Sequence, residues 1–149
     1  MKLTTGILLA LAVLIPGVFA FARTAPQGAA TKRQGPSEVE RGRYLVEDVA
    51  MCGECHTPRD SRGQLEMNEW LQGSPIWIVP VKQDANWAQR APAIAGLPGL
   101  TDEEVERVLE RGIGPEGETL RRPMHIYHMT HEDAKAIVAY LNSLPRAIH

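Results

Sequence analysis

The sequence has few aromatic residues and only two cysteines. Phe, Trp and Tyr make up 5% of the 149 residues, so large ring side chains can fill little of a core. Cys52 and Cys55 are too few for a disulfide-rich scaffold or for a four-cysteine zinc or iron–sulfur site. The formal net charge is only -2, which gives no support to a nucleic-acid partner. The composition is that of one ordinary domain whose core is short of aromatic bulk.

Alternating strand patterns are also lacking, and helix signals are present instead. Three segments begin with a hydroxyl residue followed three positions later by an acid, the spacing of a helix N-terminal cap. The pairs are Ser37 with Glu40, Thr101 with Glu104, and Thr130 with Asp133. Apolar residues follow the first cap at helical spacing, at Val39, Gly42, Val46 and Val49.

These caps predict a helix over about 38–50, a second that stops near Gly112 and a third that Pro145 ends. Between the first two helices, the stretch 57–100 contains Gly, Pro and Trp without a sustained apolar period. The predicted fold class is all-α with one long irregular loop. A loop of this length is uncommon unless it has a function.

The N-terminal segment has the pattern of an export signal. A lysine precedes an apolar run that ends in small residues, which predicts a signal peptide over 1–22, cleaved after Ala22. The run is also about 20 residues long, enough to span a bilayer, so an uncleaved membrane anchor is the alternative. Residues 23–36 lack apolar periodicity and predict a flexible linker, which leaves 37–149 as the folded domain. Export is expected in either case.

The most specific motif is Cys52-Gly53-Glu54-Cys55-His56, whose Cys-x-x-Cys-His spacing is that of c-type haem attachment. Two thiols one helical turn apart can add to the two vinyl groups of a haem. The adjacent His56 is then placed to present a ring nitrogen to the iron. The ring would also occupy core space that aromatic side chains leave free. The motif predicts one covalently bound haem c per chain.

Three other uses of the cysteines are open. A thioredoxin-type dithiol normally sits beside a βαβ pattern, and no strand pattern surrounds this one. A zinc half-site would need two further ligands, which the histidines at 125, 128 and 131 could supply. A zinc site built in this way would leave the adjacent His56 without a role as a ligand. The third use is a structural disulfide between the two cysteines.

From about residue 37 to 145, the sequence resembles the small mono-haem c-type cytochromes of bacteria with histidine and methionine ligands. The segments that carry this resemblance are Cys52 to Asp60, Ala91 to Gly96, Arg122-Pro123-Met124, and Met129 to Pro145. The resemblance implies a small cytochrome c fold, with helices packed around the haem. It also implies a periplasmic one-electron carrier, not an enzyme, that exchanges electrons with protein donors and acceptors.

The resemblance also implies the iron ligands. His56 is the proximal ligand, and a methionine from the loop before the last helix closes the other face of the ring. Met124 matches the family's Pro-Met element, with Met129 or a histidine as the alternative. The second ring nitrogen of His56 is expected to donate to the carbonyl of Pro92. Pro58 is the fallback, because the separation from His56 to Pro92 is longer than in the smallest family members.

Several further groups are candidates for contact with the haem propionates, with ordinary loop packing as the alternative. They are Trp70, Trp77, Trp87, Arg59, Arg90, Arg121 and Arg122. The run His125, His128, His131 is expected to be exposed or hydrogen-bonding, with axial ligand exchange and adventitious metal binding as alternatives. Gly42 and Tyr140 resemble the family's crossing of the first and last helices, where a missing side chain lets two backbones approach.

Two other functions are open beside a diffusing carrier. One is a haem-bearing electron-transfer subunit of a dehydrogenase or terminal oxidase complex. The other is a haem peroxidase, which needs an open sixth position and is disfavoured by Met124. The acidic run from Asp102 to Glu110 is either a solvated helix face or a surface that steers a partner. No organic substrate is expected, and membrane contact is expected only if the N-terminal segment stays uncleaved.

Overall fold

The computed structural model describes residues 36–146. The predicted signal peptide and all but the last residue of the predicted linker lie outside the described residues. The elements are α1 (Glu38–Tyr44), a π-helical turn (Leu45–Val49), α2 (Gly53–His56), a 3-10 turn (Met67–Glu69), β1 (Ser74–Pro75), β2 (Arg90–Ala91), α3 (Asp102–Arg111) and α4 (His131–Ser143). The predicted all-α class is confirmed. Over this range, no helix has the length and apolar character needed to cross a membrane.

The three predicted helix caps form. In each, the hydroxyl oxygen accepts a hydrogen bond from the backbone N–H three residues later, at 3.2 Å. In α1 and α3 the acid also accepts from the N–H of the cap residue, which completes a capping box. Gly112 ends α3 with a left-handed φ of 68°. The predicted helix starts are confirmed. They could be predicted because a cap is decided by a few neighbouring residues.

The first helix differs from its predicted apolar stripe. After Tyr44 the helix continues as a π-helical turn, in which the N–H of Ala50 donates to the carbonyl of Leu45 at 2.7 Å. A turn closed over five residues breaks the 3.6-residue period, so Val49 is exposed while Leu45 is buried. Val39, in the first turn, is exposed as well. The predicted stripe is therefore wrong at Val39 and Val49.

The predicted crossing of the first and last helices is confirmed at Gly42. A Cβ atom added to Gly42 would lie 1.8 Å from the carbonyl oxygen of Ala136 and 2.8 Å from the Cβ of Tyr140. The backbones of α1 and α4 are therefore in direct contact. Around this crossing, α1, the π-helical turn, α3, α4 and parts of the long loop bury a core of mostly aliphatic side chains, in which Tyr140 is the one buried aromatic residue among those described.

We expect Gly42→Ala to lower the free energy of unfolding by about 2 kcal/mol or more, because overpacking usually costs ~1–3 kcal/mol and this overlap is with backbone. Urea denaturation followed by far-UV circular dichroism measures the loss. Gly63→Ala is the control, since an added Cβ there meets nothing within 4 Å and only its left-handed φ of 80° is unfavourable. Equal losses in the two variants would contradict the close helix approach.

The predicted long loop is irregular, as expected, apart from one 3-10 turn, the β1–β2 pair and one isolated bridge. In the antiparallel pair, Ser74 lies opposite Ala91 and Pro75 opposite Arg90. This short ladder joins two parts of the loop that are far apart in sequence. It places Pro92, directly after β2, close to α2, whose His56 carbonyl accepts from the N–H of Gly73 at 2.7 Å.

Candidate haem-attachment site

Cys52, Cys55 and His56 lie together on a single helical turn. The N–H of His56 donates to the carbonyl of Cys52 at 3.0 Å, which closes the turn. Because positions three and four residues apart share one face of a helix, the two thiols and the imidazole face the same side. Glu54, two positions after Cys52, is off that face by its spacing. The structure thus brings together the three residues predicted to hold the haem.

The ring of His56 is buried and oriented by one hydrogen bond. Its Nδ1 lies 2.8 Å from the carbonyl oxygen of Pro92. A carbonyl oxygen can only accept, so Nδ1 carries the hydrogen and the lone pair of the neutral ring is on Nε2. Burial lowers the pKa of His56, opposed by this hydrogen bond, and therefore favours the neutral form. The fallback acceptor, Pro58, instead accepts from the N–H of Glu66 at 2.9 Å.

Both cysteines are free thiols in the structure. Burial raises the pKa of Cys52 to about 11. The pKa of Cys55 is also raised, by burial and by the neighbouring Glu54 carboxylate. Catalytic dithiols have lowered pKa values, because the thiolate is their reactive form. The site therefore does not have the electrostatics of a thioredoxin-type centre.

The methionine loop lies between α3 and α4. The side chain of Met129 packs against the buried hydrophobic cluster, and its N–H donates to the carbonyl of Leu109 at 3.2 Å. Met124 is half-buried but is not part of that packing. The two candidate ligands therefore differ: Met129 serves the core, whereas Met124 has no packing role in it.

Tyr127 is a residue of this site that the sequence analysis missed. Its hydroxyl donates to the carbonyl of Ala50 at 3.2 Å, which fastens the methionine loop to the residues just before Cys52. Burial raises the pKa of Tyr127, and the nearby thiols of Cys52 and Cys55 add to this. The available signal was the one Phe, Tyr or Trp between α3 and α4, three positions after Met124.

The long loop is hydrogen-bonded to the attachment turn and to the methionine loop. The indole N–H of Trp77 donates to the carbonyl of Glu54 at 3.1 Å. The N–H of Ala88 donates to the carbonyl of Arg122 at 2.6 Å, two residues before Met124. The loop predicted to be functional therefore ties the attachment turn to the methionine loop.

Arg59 contacts the attachment turn through Glu54. Its guanidinium lies 4.8 Å from the centre of the Trp77 ring and forms an ion pair with Glu54. It also donates to the carbonyl of Gly63 at 2.8 Å. Burial and Glu54 raise the pKa of Cys55, and the positive charge of Arg59 opposes this rise, so these contacts lie close to the second cysteine.

The other candidates for propionate contact differ in their hydrogen bonds and in their exposure to solvent. Trp87 donates its indole N–H to the carbonyl of Ile78 at 3.2 Å, and Arg121 donates to the carbonyls of Asn86 and Trp87. Arg90 and Arg122 are exposed. The indole N–H of Trp70 is buried near the Tyr140 hydroxyl but meets no described acceptor at good hydrogen-bond geometry. Of the three tryptophans, Trp70 is thus the one whose indole N–H makes no well-formed hydrogen bond.

The histidine run is exposed, as predicted. His125 and Tyr127 have ring centroids 4.3 Å apart. His131 lies 2.9 Å from a carboxylate oxygen of Glu110, so it is hydrogen-bonded. Among residues 36–146, the one group of three or more metal-ligating side chains contains His131 but neither cysteine. The arrangement therefore gives no support to a zinc half-site built on the two thiols.

A covalently held haem c fits the residues present. Two unpaired thiols and an imidazole with its lone pair on Nε2 share one face of a turn. A liganding imidazole is usually oriented through its other nitrogen by a carbonyl or carboxylate, and the carbonyl of Pro92 has that position. The donor set is thus suited to two thioether bonds and one iron–nitrogen bond.

No protein-family model matches the chain. It is 34% identical over 121 residues to a diheme c-type cytochrome of Cereibacter sphaeroides, covering 72% of this chain and 36% of that protein. It is 32% identical over 117 residues to the fructose dehydrogenase cytochrome subunit of Gluconobacter japonicus, covering 70% and 22%. It is 31% identical over 139 residues to the gluconate 2-dehydrogenase cytochrome c subunit of Pantoea cypripedii, covering 86% and 30%.

All three relatives are named as cytochromes or cytochrome subunits, which agrees with the Cys-x-x-Cys-His turn of this chain. The chain is related to the c-type cytochromes. Its mostly helical fold with one small strand pair is a small cytochrome c-like fold, as predicted. The prediction of an electron-transfer protein, not an enzyme, agrees with relatives that are named cytochrome subunits. The chain spans about a third or less of the length of these relatives, from 22% to 36%.

Proposed function

We propose that this chain carries one haem c and transfers single electrons as the cytochrome component of a dehydrogenase complex. The observation that carries the proposal is the hydrogen bond from His56 Nδ1 to Pro92, beside two free thiols. It holds the imidazole with Nε2 available to a metal. When bound, haem c supplies a one-electron Fe(III)/Fe(II) couple.

The residues of the chain have separate tasks in this proposal. Cys52 and Cys55 hold the group covalently, and His56 binds the iron through Nε2. Met124 is the second axial ligand. In support of this choice, the other candidate, Met129, packs against the core cluster, whereas Met124 does not. A soft thioether ligand favours the reduced iron and raises the potential. Trp70, whose buried N–H makes no well-formed hydrogen bond, is the candidate donor to a propionate.

One haem per chain follows from the thiols available. Haem c attachment uses two cysteines, and this sequence contains two. The Cereibacter relative is named diheme, but this chain spans 36% of it. We therefore assign a single haem to this chain.

The named relatives favour a complex subunit over the diffusing carrier that was predicted first. Two of them are cytochrome subunits of fructose and gluconate dehydrogenases. By this analogy the electron donor is a dehydrogenase, and the acceptor is a further redox centre. The proposed location is the periplasm, with the protein either free of the N-terminal segment or anchored by it.

The proposal is tested on the protein purified from its own host under native conditions. The haem content is measured by pyridine haemochrome and compared with the protein concentration. We expect one haem per chain, co-purification with a dehydrogenase subunit in a fixed ratio, and haem reduction when that dehydrogenase's substrate is added.

Elution as a single free chain that is reduced equally well by unrelated donor proteins would instead identify a diffusing carrier. Two haems per chain would contradict the stoichiometry. A protein without covalent haem would contradict the proposal as a whole.

A further inference from the structure

Three potential metal ligands meet between α3 and α4, outside the haem-attachment site. Glu106 and Glu110 are one turn apart on α3, so their side chains share a face. His131 is the first residue of α4. One ligand atom from each of the three lies within 4.8 Å of the others. His131 Nδ1 is 2.9 Å from Glu110 Oε1 and 3.8 Å from Glu106 Oε2.

The two carboxylates form their ion pairs with His131 alone among the described residues. Their side chains are only 17% and 21% exposed, whereas His131 is 60% exposed and open to solvent. Within the described part of the chain, neither Glu106 nor Glu110 forms an ion pair with a lysine or arginine, although Arg107 and Arg111 border the same groove. A histidine supplies at most one positive charge, and only while it is protonated. Lys135, one turn after His131 on α4, also acts on His131, but His131 is the one basic group that contacts the two carboxylates among the described residues.

We propose that Glu106, Glu110 and His131 bind one divalent transition-metal ion of the zinc type. Imidazole nitrogen and carboxylate oxygen are both zinc ligands, and three protein ligands are the usual number in a site that keeps one position for water. The ion takes the place of the proton on His131 Nδ1 and balances both carboxylates. The site does not use the haem ligands, so it stands or falls independently of the proposed electron transfer.

The test is a titration of the ferric, haem-loaded protein with zinc chloride at pH 7.5, in which isothermal titration calorimetry measures the binding. We expect one equivalent of Zn²⁺ to bind. His131→Ala and Glu110→Gln should each weaken binding by at least about tenfold, the loss seen even when an outer partner of a metal ligand is removed. His128→Asn is the matched control, because His128 is exposed and its left-handed φ of 52° is tolerated by asparagine. Its affinity for Zn²⁺ should match that of the parent protein.

Glu106→Gln separates a metal site from a simple ion pair. It removes one ligand but leaves the hydrogen bond between His131 and Glu110 in place. A metal site loses affinity in this variant. Far-UV circular dichroism and the haem spectrum report whether each variant folds, and if His131→Ala does not fold, the two glutamine variants carry the test. Absence of Zn²⁺ binding up to millimolar concentration, or equal binding in the parent and both glutamine variants, would overturn the proposal.

Discussion

Replacing both Cys52 and Cys55 with alanine is expected to abolish covalent haem retention. Each thiol supplies one thioether bond, so a single replacement should leave one bond and the double replacement none. Haem staining of the denatured protein on a gel detects the covalent link. The pyridine haemochrome spectrum distinguishes two thioether bonds from one, because each remaining vinyl group shifts the absorption bands.

The neighbouring Met51 provides the control for these variants. Met51 is exposed, with a left-handed φ of 49°, and precedes the attachment turn without a role in the proposed chemistry. Met51→Asn should keep its haem, since asparagine tolerates this backbone conformation. Loss of haem from Met51→Asn would point to general misfolding of the turn. Fully linked haem in the double cysteine variant would refute the attachment assignment.

The helix starts were predictable from the sequence because each depends on a local pattern. A capping box needs only a hydroxyl residue and an acid three positions apart, as at Thr101 and Glu104. The crossing at Gly42 was predictable from a resemblance, and the reason for it is steric: any side chain would overlap the carbonyl of Ala136. The caps therefore need little knowledge of the rest of the fold, whereas the crossing joins two helices far apart in the sequence.

The π-helical turn and the strand pair were not predictable in the same way. An inserted wide turn has no distinct residue pattern, so periodicity placed Val49 on the wrong face. The strand pair has two residues on each side and joins Ser74 to Ala91 across the loop. A ladder of this length is too short to show alternation, and its partner cannot be read from neighbouring residues.

The attachment turn itself is local, but its supports are not. Cys-x-x-Cys-His can be read directly, whereas Pro92 was assigned to His56 only through a family resemblance. The loop between them brings Pro92 back through the strand pair and the bond from the N–H of Gly73 to the carbonyl of His56. Tyr127 was missed because its contact with Ala50 spans 77 residues of sequence. Contacts of this range are set by the fold, not by spacing.

Met124→Ala is expected to change the sixth iron ligand and to lower the reduction potential by on the order of 0.1 V or more, since axial ligands set haem potentials over about 0.8 V. The thioether favours Fe(II), so its loss favours Fe(III). Redox titration measures the potential. The weak methionine–iron charge-transfer band in the far red of the ferric spectrum should disappear with the ligand.

Met129→Ala is the matched control, because it removes the same side chain from the same loop. Met129 packs against the core cluster, so the main expected effect is a loss of about 2 kcal/mol in unfolding free energy, near the low end for truncating a buried methionine. Its charge-transfer band and potential should stay close to those of the parent protein. If the band survives in Met124→Ala and disappears in Met129→Ala, the ligand is Met129. If the band survives in both variants, another methionine binds the iron or each of these two replaces the other, and the assignment of Met124 as the ligand is overturned.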